Sequence, residues 1–253
     1  LVAGLYLRPN AGPLTITNHI IENNTVGLLA KTTTTGSTVR GNIFTDNSTH
    51  VLDLLGAFDL TSFAANNTLD RDVWITGGNA LFGSIQSGIN AATTGETIYV
   101  GAGTYGGFAT QSGGPTDVTT QTTPGAVIDG AQTTGRIVNL LADGTTVKGF
   151  TINNGGDDAD GVGISISGQG VTVSDNNISG VLTGIQTTTQ NAAGNAIISG
   201  NIIDVENGIS LQNTGNVVSN NVIGGGVGLS QGANTFTGNT VYGDLWLSSP
   251  TLV

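Results

Sequence analysis

Hydrophobic residues recur along this chain in one short unit: an apolar residue, two small or polar residues, often Asn, then apolar again. In five copies the unit closes on Asn: Val39-Arg-Gly-Asn42-Ile43, Val173-Ser-Asp-Asn176-Asn-Ile178, Ile198-Ser-Gly-Asn201-Ile202, Val218-Ser-Asn-Asn221-Val222 and Phe236-Thr-Gly-Asn239-Thr-Val241. Two variants, Ile16-Thr-Asn-His19-Ile20 and Val147-Lys-Gly-Phe150-Thr-Ile152, replace the Asn. A second unit of Gly plus an aliphatic follows in most copies: Gly27-Leu28, Gly184-Ile185, Gly208-Ile209 and Gly228-Leu229. From His19 to Asn42 is 23 residues and from Phe150 to Asn176 is 26; the next intervals are 25, 20 and 18. Brief apolar alternation bounded by Gly and Asn predicts short strands and tight bends, with no helical period between copies. A repeat of this length, made only of strands and turns, is one coil of a parallel β-helix. A leucine-rich repeat needs a Leu consensus that is missing, and a sandwich would not keep one motif in register. Alternate side chains point into a narrow core, so Val, Ile and Leu are expected in columns. The Asn is expected at a bend, its amide bonding the turn backbone and the Asn above and below. Gly is expected where a bend needs positive φ.

The pattern breaks once. After Leu52-Asp-Leu54 no clean copy appears until Val147. Inside the gap, Ile85, Ile89 and Ala92 fall at i, i+4 and i+7, which predicts a short amphipathic helix over 84–92 with Ser84 as N-cap. Thr97-Ile-Tyr-Val100 and a Gly turn follow it. The run from Ser84 to Tyr105, SIQSGINAATTGETIYVGAGTY, resembles the opening of pectin-lyase-like right-handed parallel β-helix proteins. Ala126-Val-Ile-Asp-Gly130 and Val147-Lys-Gly-Phe-Thr-Ile152 resemble the first coils of that family. The resemblance implies that the helix plugs the open end of a solenoid. It is a resemblance of fold, which hosts lyases, hydrolases, esterases, epimerases, tailspikes and large secreted or cell-surface adhesins, so function has to be argued from a site.

The fold class expected is therefore all-β: a right-handed parallel β-helix in two tandem solenoid segments. Residues 1–62 would be the terminal coils of a first β-helix that starts mid-repeat, because Gly4-Leu5-Tyr-Leu7 reads as the second unit of a coil. Residues 63–83 would be a linker, and 84–253 the second β-helix behind its helical plug. Such ends are unpaired edges that must be capped or joined. A segment of a larger tandem protein, or a subunit stacking on a neighbour, is the expectation.

Composition narrows the chemistry. Gly fills 41 of the 253 positions, and charged residues are only 9% against roughly 25% in an ordinary domain. With 17 Asp+Glu against 6 Lys+Arg the net charge is −11, so no basic patch for nucleic acid or an anionic membrane can be assembled. No apolar run approaches 18 residues, so no membrane insertion is expected. The absence of Cys excludes disulfides, thiolate metal sites and Cys nucleophiles. The acidic, Lys-poor, Gly/Asn/Thr-rich balance points to an extracellular or cell-surface location.

Enzyme templates of the resembled fold are not completed. Lyases there use Arg or Lys as base, with acidic residues holding Ca²⁺ against uronates, but the second solenoid has only Arg136 and Lys148. The methylesterase Gln-Asp-Thr and epimerase Asp-Pro-His signatures are missing. The best acidic cluster is Asp157, Asp158 and Asp160, in an insertion that stretches Phe150 to Gly163 to 13 residues. It reads in three ways. It is a solvated acidic turn, a calcium site of hard oxygen ligands, or half of a hydrolase pair completed by Asp143 or Asp175 on an adjacent coil. Calcium is the one cofactor so suggested, and no organic cofactor is.

His19 takes the Asn position of its coil, which suits a stacked structural role. His50 has no second His or carboxylate at ligand spacing in the sequence. Asp129 reads as a turn residue. Trp74, Tyr99, Tyr105 and Trp246 are candidates for stacking on sugars or covering solenoid ends. Asn23, Asn47, Asn66 and Asn177 head Asn-x-Ser/Thr triplets, expected by chance at this composition. The run 32–35 suggests ice binding, but Thr-x-Thr does not recur coil by coil. The expectation is a structural or adhesive protein forming a stalk, layer or filament, with identical subunits or neighbouring repeats as partners. The alternative is a carbohydrate-active enzyme or glycan-binding module using the 157–160 loop, with glycans as partners.

Overall fold

A computed structural model describes residues 3–8, 12–31, 36–111, 117–120, 125–131, 135–155, 161–188 and 194–247. The chain is a parallel β-helix, with only two short helices among the described residues. One coil of the second solenoid shows how the sequence does this. Thr172–Ser174, Asn177–Ser179 and Thr183–Thr187 are short strands, each burying its central aliphatic side chains. Each strand pairs in parallel with its counterpart one coil on, so Val147, Val173, Ile198 and Val218 form one column. Ile128, Ile152, Ile178, Ile203 and Ile223 form the second. Val138, Ile164, Ile185 and Ile209 form the third. All of these side chains are buried, and each contributes roughly 1.5–3 kcal/mol of hydrophobic stabilisation.

The repeated Asn residues stand at the bends and run as amide ladders. Phe150 N–H donates to Asn176 Oδ1 at 3.0 Å, and Asn176 Nδ2 donates to Asn201 Oδ1 at 3.1 Å. Asn201 continues to Asn221, and Asn221 to Asn239, each at 2.9 Å. Two further ladders occupy other bends, Asn216 to Asn234 and Asn24 to Asn47. His19 tops the ladder of the first solenoid, its N–H donating to Asn42 Oδ1 at 3.0 Å. Asn67 is a rung there as well, accepting from Asn42 Nδ2 at 3.0 Å, although the aliphatic that elsewhere opens the unit is missing.

Gly41, Gly200 and Gly238 serve the bends with positive φ, as expected, whereas Gly in the second unit has a different reason. Gly27, Gly184 and Gly208 do not have positive φ. They lie in strands where an added Cβ would press on the next coil, at 2.7 Å from His50 O for Gly27 and 2.6 Å from Gly208 O for Gly184. The fourth copy is also misaligned by sequence. Across a register shift, Ile209 pairs with Val227 and Ser210 with Gly228, so Gly228 is an outward position with nothing within 4 Å of its would-be Cβ.

The helix Ile85–Ala91 forms as expected, with Ser84 Oγ accepting from Ser87 N at 3.1 Å and Ile85 and Ile89 buried. Gln86 extends its sealing role. Its side-chain amide both accepts from Ala109 N at 2.9 Å and donates to Ala109 O at 3.1 Å, completing a strand edge that would otherwise be unpaired.

Residues 63–83 are ordered structure between the solenoids. Helix Leu60–Asn66 seats Phe63 against Phe44 and Phe58, at ring distances of 5.4 and 5.8 Å. Strands Val73–Ile75 and Ala80–Phe82 then form an antiparallel hairpin. One arm pairs antiparallel with Thr49–Asp53 of the first solenoid and the other with Thr97–Val100 of the second. The result is one 12-stranded sheet across both. Three successive antiparallel pairings reverse the strand direction from one solenoid to the other. Alternation divides the hairpin between two cores: Val73, Ile75, Ala80 and Phe82 enter the second, while Leu81 and Trp74 enter the first. Strands buried on both faces read as continuous apolar runs, here Val-Trp-Ile and Ala-Leu-Phe.

Candidate functional site at the solenoid junction

The connection Asp70-Arg71-Asp72 leads from strand Thr68–Leu69 into the shared hairpin and brings His50, Asp46, Asp70 and Arg71 together. His50 is fully buried, and its Nε2 lies 2.9 Å from Asp70 Oδ1, although the ring N–H is not aligned as a hydrogen bond. Its Nδ1 is 3.5 Å from Asn47 Nδ2, and Phe44 meets the ring edge-on at 6.4 Å. Burial holds the imidazole below the ordinary histidine pKa, and the Asp70 charge opposes that only in part. Asp70 Oδ2 also accepts from Asp46 N at 3.1 Å. Arg71 reaches back over this pair, 3.7 Å from Asp70 and 3.9 Å from Asp46, while its Nε donates to Thr104 O at 3.3 Å.

Asp72 faces the other way. Its backbone is fixed by Tyr105, whose hydroxyl accepts from Asp72 N at 3.0 Å and lies 3.1 Å from Gly101 O. Burial pushes the Tyr105 hydroxyl up to about 12. Asp72 lines, with Leu60, Thr61, Ala64, Trp74 and Leu81, a half-open cleft of about 230 Å³. Its Oδ1 is buried with no hydrogen-bond partner. Desolvation alone raises its pKa to about 6. Trp74 is stacked on Tyr99 with ring centroids 5.8 Å apart and planes at 25°, so the indole wall is held rigid.

The acidic loop residues Asp157, Asp158 and Asp160 lie outside the described residues, as does the run 32–35. The partners suggested for that loop are engaged separately: Asp143 Oδ1 accepts from Gln169 N at 2.7 Å, and Asp175 is 3.4 Å from Lys148 Nζ. Asp129 ends the strand Val127–Asp129 and holds the turn that follows, accepting from Ala131 N and Asn154 Nδ2, both at 2.7 Å. Asn47, head of one Asn-x-Thr triplet, is buried and spends its amide on Ile21 O at 2.8 Å. Trp246 is exposed, and Tyr105 is a core residue.

The junction set was not found by sequence spacing. The carboxylate beside His50 is Asp70 from the next coil, not Asp46 or Asp53, which are nearer in sequence. The signal that could have found it is Asp-Arg-Asp running into Val-Trp-Ile, a charge cluster abutting an apolar triplet in a chain with few charges. No protein-family model matches this chain, and no curated protein matches it.

Proposed function

We propose that this chain is an extracellular structural or adhesive β-helix protein of the pectin-lyase-like kind, building a cell-surface stalk, layer or filament. The observation that carries the reading is the hydrogen-bonded junction. At about 4.8 Å per strand, a sheet of 12 strands runs roughly 50 Å without a flexible break. Force applied along it is shared by backbone ladders and by a hairpin embedded in both cores. Nothing in such a connection resembles the exposed, polar, low-contact linker across which independent domains move.

Self-association with identical subunits or neighbouring repeats belongs to the same reading. The last described coil exposes Tyr242 at 74%, Trp246 at 57% and Leu245 at 42%. Leu245 continues the inward column of Val227 and is left uncovered, which suits a further coil or a second chain. Electron microscopy of native material, with sedimentation of the purified chain, tests the proposal. Elongated rods or a repeating polymer are expected, and compact globular monomers at all concentrations would overturn it.

A further inference from the structure

Building on the self-associating reading above, we propose that copies of this chain join head to tail, the basic face of Tyr6, Arg8 and Lys31 on one copy meeting the acidic bend of Asp204, Glu206 and Asp244 on the next. Charge is unevenly spread along the molecule. The first 40 residues hold three of the six cations against a single acid, Glu22. No Lys or Arg follows Lys148, whereas seven of the 17 acids do.

The basic face is uncommitted. Arg8 Cζ and Lys31 Nζ lie 5.8 and 5.9 Å from the centre of the Tyr6 ring, so one aromatic face gathers both cations. All three side chains are exposed, with Tyr6 on Ala3–Leu7, the first strand of the 12-stranded sheet. Among the described residues, the Lys and Arg side chains in ion pairs are Arg71 and Lys148, not these two. The acidic bend is equally free. Gly226 N donates to Glu206 O at 3.0 Å and Val227 N to Asp244 O at 2.8 Å, which places Glu206 and Asp244 at one bend with a coil between them. That coil turns on Gly224 and Gly225, where a Cβ at Gly224 would already stand 2.9 Å from Asp204 Oδ1, so no side chain covers the acids. Asp204, Glu206 and Asp244 are exposed, and none forms an ion pair among the described residues.

The two surfaces do not meet within one molecule. They lie at opposite ends of a sheet that runs roughly 50 Å at about 4.8 Å per strand, and the hydrogen-bonded junction keeps it from folding back. Complementary patches at opposite ends of a rigid body make a heterologous contact, which propagates as an open filament. Like ends repel, so charge selects the polarity of the contact. Tyr6 on one side and the exposed Tyr242 and Trp246 beside Asp244 supply aromatic area to bury there.

Sedimentation velocity of the whole chain over a concentration series, with electron microscopy, reads the contact through paired charge reversals. Arg8→Glu with Lys31→Glu makes both ends acidic, and Glu206→Lys with Asp244→Lys makes both basic. Each variant alone should self-associate about tenfold or more weakly than the unmodified chain. Mixed in equal amounts they should associate as the unmodified chain does, because each reversed end then meets its complement; the chain with all four reversals should self-associate by itself. Only exposed side chains are exchanged, so thermal melts should match that of the unmodified chain. An unmodified chain that stays monomeric, association unchanged by either pair, or a mixture no stronger than its components would each overturn the inference. Rods that persist unchanged in the reversed variants would overturn it while leaving the structural reading standing.

Discussion

Asn201 stands directly over Asn221: its backbone N–H and its Nδ2 both donate to Asn221 Oδ1, each at 2.9 Å. The same Nδ2 reaches Val173 O at 3.0 Å, and Asn201 Oδ1 in turn accepts from Asn176 N and Nδ2. One buried amide thus satisfies backbone and side-chain groups on three coils.

Replacing Asn201 with Ala leaves the Asn176 N–H and the Val173 carbonyl without these partners in the interior. At about 1–3 kcal/mol for each orphaned group, a loss of roughly 2–4 kcal/mol is expected. Asn239→Ala, at the half-buried end of the ladder, should cost about 1 kcal/mol. Urea unfolding of the two variants checks the order; equal losses would mean that the ladder is not carried by its buried rungs.

Gly184 and Gly228 look equivalent in sequence and are not in space. Gly184→Ala drives a methyl to within 2.6 Å of Gly208 O and should cost about 1–3 kcal/mol. Gly228→Ala points into open space and should be neutral, or gain up to about 1 kcal/mol from a less flexible unfolded chain. Thermal melts of the pair distinguish them. A large loss at Gly228 would contradict the register of the last coils.

Asp72 destabilises the protein once ionised. Its pKa is about 6 when folded and 3.8 as the reference, so the folded state holds the proton more tightly. That contribution is fully present below about pH 3.8 and lost as the pH rises through 6. The gap corresponds to roughly 3 kcal/mol at full effect, reduced by the partial exposure of the residue. Asp72→Asn, a neutral isostere, should therefore stabilise by about 1–2 kcal/mol at pH 7.5 and by almost nothing at pH 4. Urea midpoints at the two pH values measure it, and a pH-independent difference would remove the carboxyl as the cause.

His50 acts with the opposite sign. Its folded pKa lies below the reference 6.5, so its contribution is present above that value and is lost as the pH falls through the lower folded pKa. Its ring resonances should titrate below 6.5 by NMR. Asp70→Asn removes the charge that favours the imidazolium and should push the midpoint lower still. A midpoint that rises in that variant would show that Asp70 does not act on the ring.

Much of this protein is determined locally and can be read from the chain. The period of Asn42, Asn176, Asn201, Asn221 and Asn239 marks the bends, because a bend needs a side chain that satisfies its own backbone. The spacing of Ile85 and Ile89 behind Ser84 marks the helix, because capping and a buried face act within two turns. Relations between coils are different in kind. Val227, not Leu229, pairs with Ile209 because coils of unequal length choose their register by packing. His50 finds Asp70 because one coil stacks on the next. The hairpin Val73–Ile75/Ala80–Phe82 serves two cores because hydrogen bonding continues across it from both sides. In the sequence Asp72 is one acid among several. Tertiary structure alone surrounds its carboxyl with a helix and two strands from separate stretches of chain, and the loss of water around it gives the group its chemistry.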